Sequence, residues 1–380
     1  MKIALVYDWS YPFSKGGGEV RYYYLAKKLV AMGHKVTWFT LKGWKDNNAR
    51  IIKDGIIYQS IGEQINAYND KGTRSSFQSL YFCWCVLKII HHFKDFDIID
   101  TPQYPFFHII PLMLYRKKVI VTWFEYWGKH WFNYTSNYLL AFIGFFIERI
   151  ISKIPKNVIS ISNQSYTRLI SNTRNKFNTT YIPNWINYSE LSIIKPNNDK
   201  YDICYFGRLK GHKNVDILIK AISICKNNHL SLSLRIFGDG PEKKSLIKLV
   251  ETSGLKNNVE FYGFIEKHEN LLSHVRSANL FVIPSLKEGG GSIVTLEANA
   301  VGVPVMAIKS ELGLDKSLIN NYKNGFWVVE CSPDALAKKI LEVYSYIKKH
   351  RNVFYNNCKD FASSYDIDLL GERVEQIYYG

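Results

Sequence analysis

Two successive runs of alternating apolar and amphipathic segments, separated by one polar stretch, constrain the fold of this 380-residue chain more than any other feature. In the first run, segments 2–7, 35–40, 56–60, 98–100, 119–123 and 157–162 read as strands. Segments 18–32, 76–93 and 164–172 read as helices. In the second run, 203–206, 231–237, 259–262, 280–283, 305–307 and 325–329 read as strands, and 215–226, 243–252, 269–277, 292–300 and 334–349 as helices. Regular strand–helix alternation places helices on both faces of a parallel, doubly wound sheet. Residues 192–200, polar and interrupted by Pro196, read as a linker. The expected fold class is α/β, with two Rossmann-like domains: 1–191 and 201–355.

Open α/β sheets bind ligands beyond the carboxyl ends of their strands. The most informative such end is residues 285–297. An acidic, glycine-rich turn (Glu288, Gly289, Gly290, Gly291) follows strand 280–283 and opens a helix through Ser292 and Ile293 to Glu297. Glycines admit close backbone approach, and a helix N-terminus favours an anion. Carboxylates beside an anion site make sense when the ligand also carries hydroxyl groups. Phosphate and hydroxyls together describe a nucleotide-sugar.

Composition narrows the classes. A hydrophobic content of 47% excludes wholesale disorder. The net charge of +16 is uneven: residues 1–200 hold 26 Lys and Arg against 13 Asp and Glu, the remainder 23 against 20. A basic first half implies an anionic partner, or a solubilising surface. The six cysteines form no metal-binding spacing, and reduced thiols in a cytoplasmic protein is the expectation. The N-terminus turns polar too early for a signal peptide. The longest apolar run, 138–147, falls short of the roughly 20 residues of a spanning helix. Asp95-Phe96-Asp97 carries the short acidic spacing of metal-dependent transferases, but it precedes a strand and reads as a solvated turn; no metal is expected.

Several motifs recur in a fixed order. Lys2-Ile3-Ala4-Leu5-Val6 leads to Pro12-Phe13-Ser14-Lys15-Gly16-Gly17-Gly18-Glu19. Ile182-Pro183-Asn184 follows, then Tyr205-Phe206-Gly207-Arg208-Leu209 with Lys213. Phe237-Gly238-Asp239-Gly240-Pro241-Glu242, Phe261-Tyr262-Gly263-Phe264-Ile265 and the Glu288–Glu297 segment complete the series. In this order they resemble the retaining glycosyltransferases of the GT-B fold, family 4, over nearly the whole chain. The resemblance implies two domains facing a cleft, the first holding the acceptor and the second the nucleotide-sugar donor. It also implies that the terminal segment, 356–380, returns as a helix to the first domain. Two departures stand out. The two glutamates are nine apart where the family has eight, and Phe124-Glu125 stands where many members have a His followed by an acid.

The resemblance assigns candidate roles. Arg208 and Lys213 would hold the leaving diphosphate, Glu288 would touch the donor sugar, and Glu297 would accept from the ribose hydroxyls. Gly16, Gly17, Gly289, Gly290, Gly291, Ser292 and Ile293 would present backbone to the donor. Glu19 and Glu125 are candidates on the acceptor or sugar side. His108 and His130 read as structural. No cofactor beyond the donor substrate is implied, since the cationic pair stands in for a metal. Aromatic and basic residues beside the apolar segment 139–147, and similar residues in 77–94, suit the interface of an anionic membrane. A lipid-linked hydroxyl acceptor at the inner face of the cell membrane would explain them. Three readings remain open beside this one: a nucleotide-sugar epimerase of the same fold, a nucleic-acid-binding protein without a recognisable motif, and a non-catalytic sugar-binding scaffold.

Overall fold

The computed structural model describes residues 1–14, 16–65, 76–114, 118–134, 137–173, 178–288 and 291–380. The chain forms two compact units, Met1–Asn184 with Ile367–Gly380, and Trp185–Asp366. Residues 185–191, expected in the first domain, lie in the second unit, where buried Leu191 joins the core that Ala362 also enters. Residues 356–366, expected in the returning segment, lie there too.

The first unit contains β1 (Lys2–Val6), β2 (Lys35–Lys42), β3 (Arg50–Lys53), β4 (Ile56–Glu63), β5 (Ile98–Pro102), β6 (Lys118–Trp123), β7 (Asn157–Ser160) and β8 (Asn178–Tyr181). They form one sheet in the order β3-β4-β2-β1-β5-β6-β7-β8. Its pairs are parallel except β3–β4, a hairpin absent from the sequence reading. Asp54 and Gly55 turn that hairpin with φ of 53° and 75°, the conformation a tight two-residue loop needs.

Around this sheet lie α1 (Gly17–Ala31), α2 (Ser76–Lys88), α3 (Ile109–Leu114), α4 (Trp131–Tyr134), α5 (Tyr138–Ile151) and α6 (Asn163–Thr173). The expected helix 76–93 ends at Lys88 and passes into a 3₁₀ turn, Ile90–Asp95. The tighter turn brings fully buried Phe93 edge-on to Phe39, ring centroids 5.0 Å apart. Helices α2, α3, α5 and α6 share one apolar core with β1, β6 and β7.

The second unit opens with α7 (Tyr188–Ser192). It then alternates β9 (Tyr201–Phe206), α8 (Val215–Asn227), β10 (Leu234–Phe237), α9 (Lys243–Thr252), β11 (Val259–Gly263), α10 (His268–Ser277), β12 (Ala278–Ile283), α11 (Ile293–Ala300), β13 (Val305–Ile308) and β14 (Gly325–Val328). The all-parallel sheet runs β11-β10-β9-β12-β13-β14. Strand order reverses between β9 and β12, which makes the gap beyond their carboxyl ends the natural ligand site. Apolar cores cover both faces. Helices α12 (Pro333–Lys349) and α13 (Arg351–Ser363) close the unit.

The last helix, α14 (Ile367–Tyr379), packs against α1 in the first unit. Buried Tyr378 donates to Asp100 Oδ2 at 2.6 Å, and His34 Nε2 lies 2.6 Å from Glu375. Burial pushes the Asp100 carboxyl up to about 6 against the pull of the Tyr378 and Tyr22 hydroxyls and the Arg21 charge.

Candidate functional site

The switch point of the second sheet is built from two loops held against each other. Gly207 follows β9, and Gly238, whose φ is +133°, follows β10. A Cβ on Gly238 would lie 2.0 Å from the Gly207 carbonyl oxygen, so only glycine lets these loops meet. Gly238→Ala is therefore expected to cost about 3 kcal/mol and lower the melting temperature; an unchanged melting curve would contradict the reading.

Beyond Gly207 the chain exposes Arg208 and curls into a short 3₁₀ turn, Gly211–Lys213. Lys213 Nζ donates to both carboxylate oxygens of Glu288 at 2.9 Å each. Glu288 follows β12, so the ion pair bridges the strands that flank the switch point. Supporting bonds hold both sides. Ser285 Oγ donates to the His212 carbonyl at 3.0 Å, Asn214 Nδ2 donates to the Pro284 carbonyl at 3.3 Å, and the Glu288 amide donates to the Leu312 carbonyl at 3.2 Å. Burial and the charges of Arg208 and Lys213 hold the Lys210 ammonium below its ordinary value. Burial and Lys213 likewise hold His212 low. Burial leads both shifts, and the neighbouring cations add to it.

Ser292 caps α11 with extended backbone but makes no side-chain cap bond, and Ile293 is the first helical residue. Gly289 and Gly290 lie outside the described residues; Gly291 lies just before the cap. Glu297 sits in the second turn of α11, almost buried, with Oε1 2.8 Å from His268 Nε2 at the start of α10. So the structure joins Lys213 to Glu288, and Glu297 to a histidine that the sequence reading passed over. No local spacing could have found it, because the partners are 29 positions apart.

In the first unit the corresponding strand ends belong to β1, β5 and β6. Gly16 caps α1 in an extended conformation, and a Cβ there would lie 2.1 Å from Glu19 Oε2. Glu19 is thus buried against its own helix start, where an acid stabilises the first turn. A Cβ on Gly17 would meet nothing within 4 Å, which leaves its backbone approachable. Gly18 packs on Tyr7 and Phe124. Glu125 is half-buried after β6, in a loop pinned on several sides. Phe124 N donates to Gln103 Oε1 at 2.8 Å, Tyr126 N to Ser165 Oγ at 3.0 Å, and Arg168 to the Tyr126 carbonyl at 3.1 Å. His108 is fully buried on Thr101 Oγ1 at 2.7 Å, and burial pushes its pKa down to about 3. Asp97 accepts the Lys2 amide at 2.7 Å, so this acid of the Asp95–Asp97 pair caps a strand. Among the described residues no cluster of three or more His, Cys, Asp or Glu could hold a metal ion.

The same loop is anchored by a group the sequence reading missed. Glu148 of α5 is fully buried and accepts from Trp127 N at 3.0 Å, Gly128 N at 2.6 Å and Trp131 Nε1 at 3.1 Å. The helix is thus inverted: its carboxylate points inward while Leu139, Leu140, Phe142, Ile143, Phe146 and Ile150 are exposed. Helix α2 adds an exposed stripe of Phe77, Leu80, Trp84 and Leu87, and α3 adds Leu114.

Burial raises the Glu148 carboxyl to about 7 from 4.5. A raised acid stabilises the fold below its unfolded pKa, and that contribution fades as pH rises to the folded value. Relative to Glu148→Gln, the wild type should lose about 3 kcal/mol between those two pH values. Paired denaturant titrations at several pH values check this; parallel curves would contradict it.

Two sequence families match the chain. The model of "Glycosyltransferase Family 4" matches residues 15–190, and that of "Glycosyl transferases group 1" matches 190–361. The chain belongs to the GT-B glycosyltransferases of family 4. The capsular polysaccharide biosynthesis glycosyltransferase CapM of Staphylococcus aureus is 23% identical over 62% of this chain and 65% of its own length. The chain spans from 14% to 65% of the length of curated relatives it matches. Among solved structures, sucrose-phosphate synthase of Thermosynechococcus elongatus aligns over 100% of this glycosyltransferase and 98% of that chain, with TM-score 0.79 and 20% identity. Anabaena HepE in complex with UDP and glucose aligns over 100% of both chains, with TM-score 0.75 and 19% identity. At such identities the structural likeness establishes the fold.

As a member of this family, the glycosyltransferase carries its group 1 match over the unit that holds Arg208, Lys213, Glu288 and Glu297. Among the described residues no helix is long and apolar enough to cross a membrane.

Proposed function

We propose that this glycosyltransferase is a retaining enzyme that moves a sugar from a nucleoside diphosphate sugar to a hydroxyl acceptor, a lipid-linked one, in glycan or glycolipid synthesis. One observation carries the donor reading. At the switch point of the second sheet, a positive cluster of Arg208, Lys210 and Lys213 stands beside Glu288, with Glu297 on the helix that follows. Positive charge suits a diphosphate, and a carboxylate such as Glu297 can accept from both hydroxyls of a ribose. The complexes of HepE with UDP and glucose support the same donor class.

In this reading Arg208 and Lys213 stabilise the charge that develops on the departing diphosphate. The acceptor hydroxyl attacks from the face the diphosphate leaves, and the diphosphate takes its proton. Gly16 and Gly17 are candidate backbone contacts of the donor, and Glu125 is a candidate on the acceptor side. The exposed apolar faces of α2 and α5 favour a lipid-linked acceptor over a free sugar, because such a surface gains free energy at a bilayer.

The deciding experiment is a panel of UDP-, GDP-, ADP- and dTDP-sugars, scored by thermal shift and by slow hydrolysis without acceptor. One nucleotide series should stabilise the wild type and fail to stabilise Glu297→Ala. No shift with any donor, alongside salt-sensitive binding to nucleic acid, would overturn the proposal.

A further inference from the structure

Glu297 does not stand alone. It lies in the second turn of α11, nearly buried, and its Oε1 is 2.8 Å from His268 Nε2. The imidazole is itself half-exposed, with 52% of its side chain accessible. A lone glutamate carboxylate in such a place rotates about three side-chain torsions and loses that freedom when it grips a diol. A second group that holds one oxygen fixes the carboxylate plane and leaves the other oxygen for ligand. The histidine is the only side chain with a hydrogen bond to Glu297 among the described residues.

We propose that His268 is a positioning residue of the nucleoside subsite, which orients Glu297 for the ribose hydroxyls and adds charge that favours the anionic donor when protonated. The inference rests on the donor reading above and deepens it, since it names a residue that sets affinity for the nucleoside half. The surroundings make His268 the titrating member. Helix α10 packs on α11 and β12. From α11 the one titratable group is Glu297, and β12 (Ala278–Ile283) contributes none; α10 itself carries Glu269, His274 and Arg276, and the charge that acts on His268 is Glu297. The Glu297 charge raises the His268 pKa above its ordinary 6.5, against the opposing effect of burial. The Glu297 charge thus favours the protonated imidazole, and that form is lost as pH rises through the raised value.

The sign of the binding effect follows. The diphosphate of a nucleotide-sugar keeps a constant charge over this range, so its own titration does not intrude. Protonated His268 neutralises Glu297 near that anion. Neutral His268 leaves the carboxylate charge uncompensated, and affinity falls as pH rises.

The test uses the full chain with UDP-glucose, GDP-mannose and ADP-glucose, taking forward the one that binds, by calorimetry from about pH 6 to about pH 8, where the bases of these donors keep their protons. Wild-type affinity should fall severalfold across that range. His268→Gln, which keeps an N–H donor for Glu297, should bind with a flat profile. His268→Ala should bind about tenfold more weakly at neutral pH, with a raised donor KM and little change in kcat. The 2′-deoxy counterpart of the same donor, which removes one hydroxyl from the diol, should bind wild type and His268→Ala with much closer affinities. A pH profile that persists in His268→Gln, or equal sensitivity of the deoxy donor to His268→Ala, would overturn the inference and leave the donor reading intact. Absence of binding by every nucleotide-sugar in wild type would overturn the donor reading itself, and this inference with it.

Discussion

Lys213→Ala is expected to lower turnover by roughly two to three orders of magnitude at saturating donor, the loss typical when one preorganised charge is removed from a developing anion. The same substitution strips Glu288 of its ion pair. That carboxylate has only 9% of its side chain exposed, so its desolvation is left without its cation. A stability loss of about 1–3 kcal/mol should accompany the kinetic one. The two effects separate in the double variant Lys213→Ala, Glu288→Gln. Neutralising the stranded carboxylate should restore the melting temperature while turnover stays low. Recovery of both would mean that Lys213 serves the fold and not the reaction, and unchanged turnover in the single variant would remove it from the chemistry.

The second large effect is expected at α5. Replacing Leu139, Phe142 and Phe146 by serine should reduce partitioning onto vesicles with anionic headgroups about a thousandfold or more, since each fully inserted side chain is worth about 1.5–3 kcal/mol. These side chains are exposed, so the fold should tolerate the change with little loss of stability. Activity towards a lipid-linked acceptor should then fall, while donor hydrolysis continues. Vesicle flotation of the two proteins side by side checks the first part. Equal flotation would assign the apolar face to something other than a bilayer.

The sequence made the strand ends readable because each carries a change of character. Apolar residues stop at Gly207, and a cation follows; they stop after Ile283, and a carboxylate with glycines follows. The resemblance that picks out Arg208, Lys213 and Glu288 rests on these strand ends. What pairing each makes could not be read there, since Lys213 and Glu288 are brought together by strand order, which a one-dimensional pattern does not contain. His268 was invisible for the same reason. Glu148 is hidden differently: in sequence it stands just past an apolar run, whereas the helix turns it inward onto three N–H groups. The hairpin of β3 was missed although Asp54-Gly55 is a turn signal, because the strand that precedes it is too short to show alternation.

The return of α14 to the first unit has a consequence for the order in which the protein is made. Chains usually fold their leading domain first as they leave the ribosome. Here the leading unit lacks a helix until residues 367–379 have been synthesised, and buried Asp100 waits for the hydroxyl of Tyr378. The middle unit, encoded later, has all of its strands in hand before then. Biogenesis therefore runs inside out: the second unit can complete itself as a nascent chain, while the first matures only after residues 367–379 have left the ribosome.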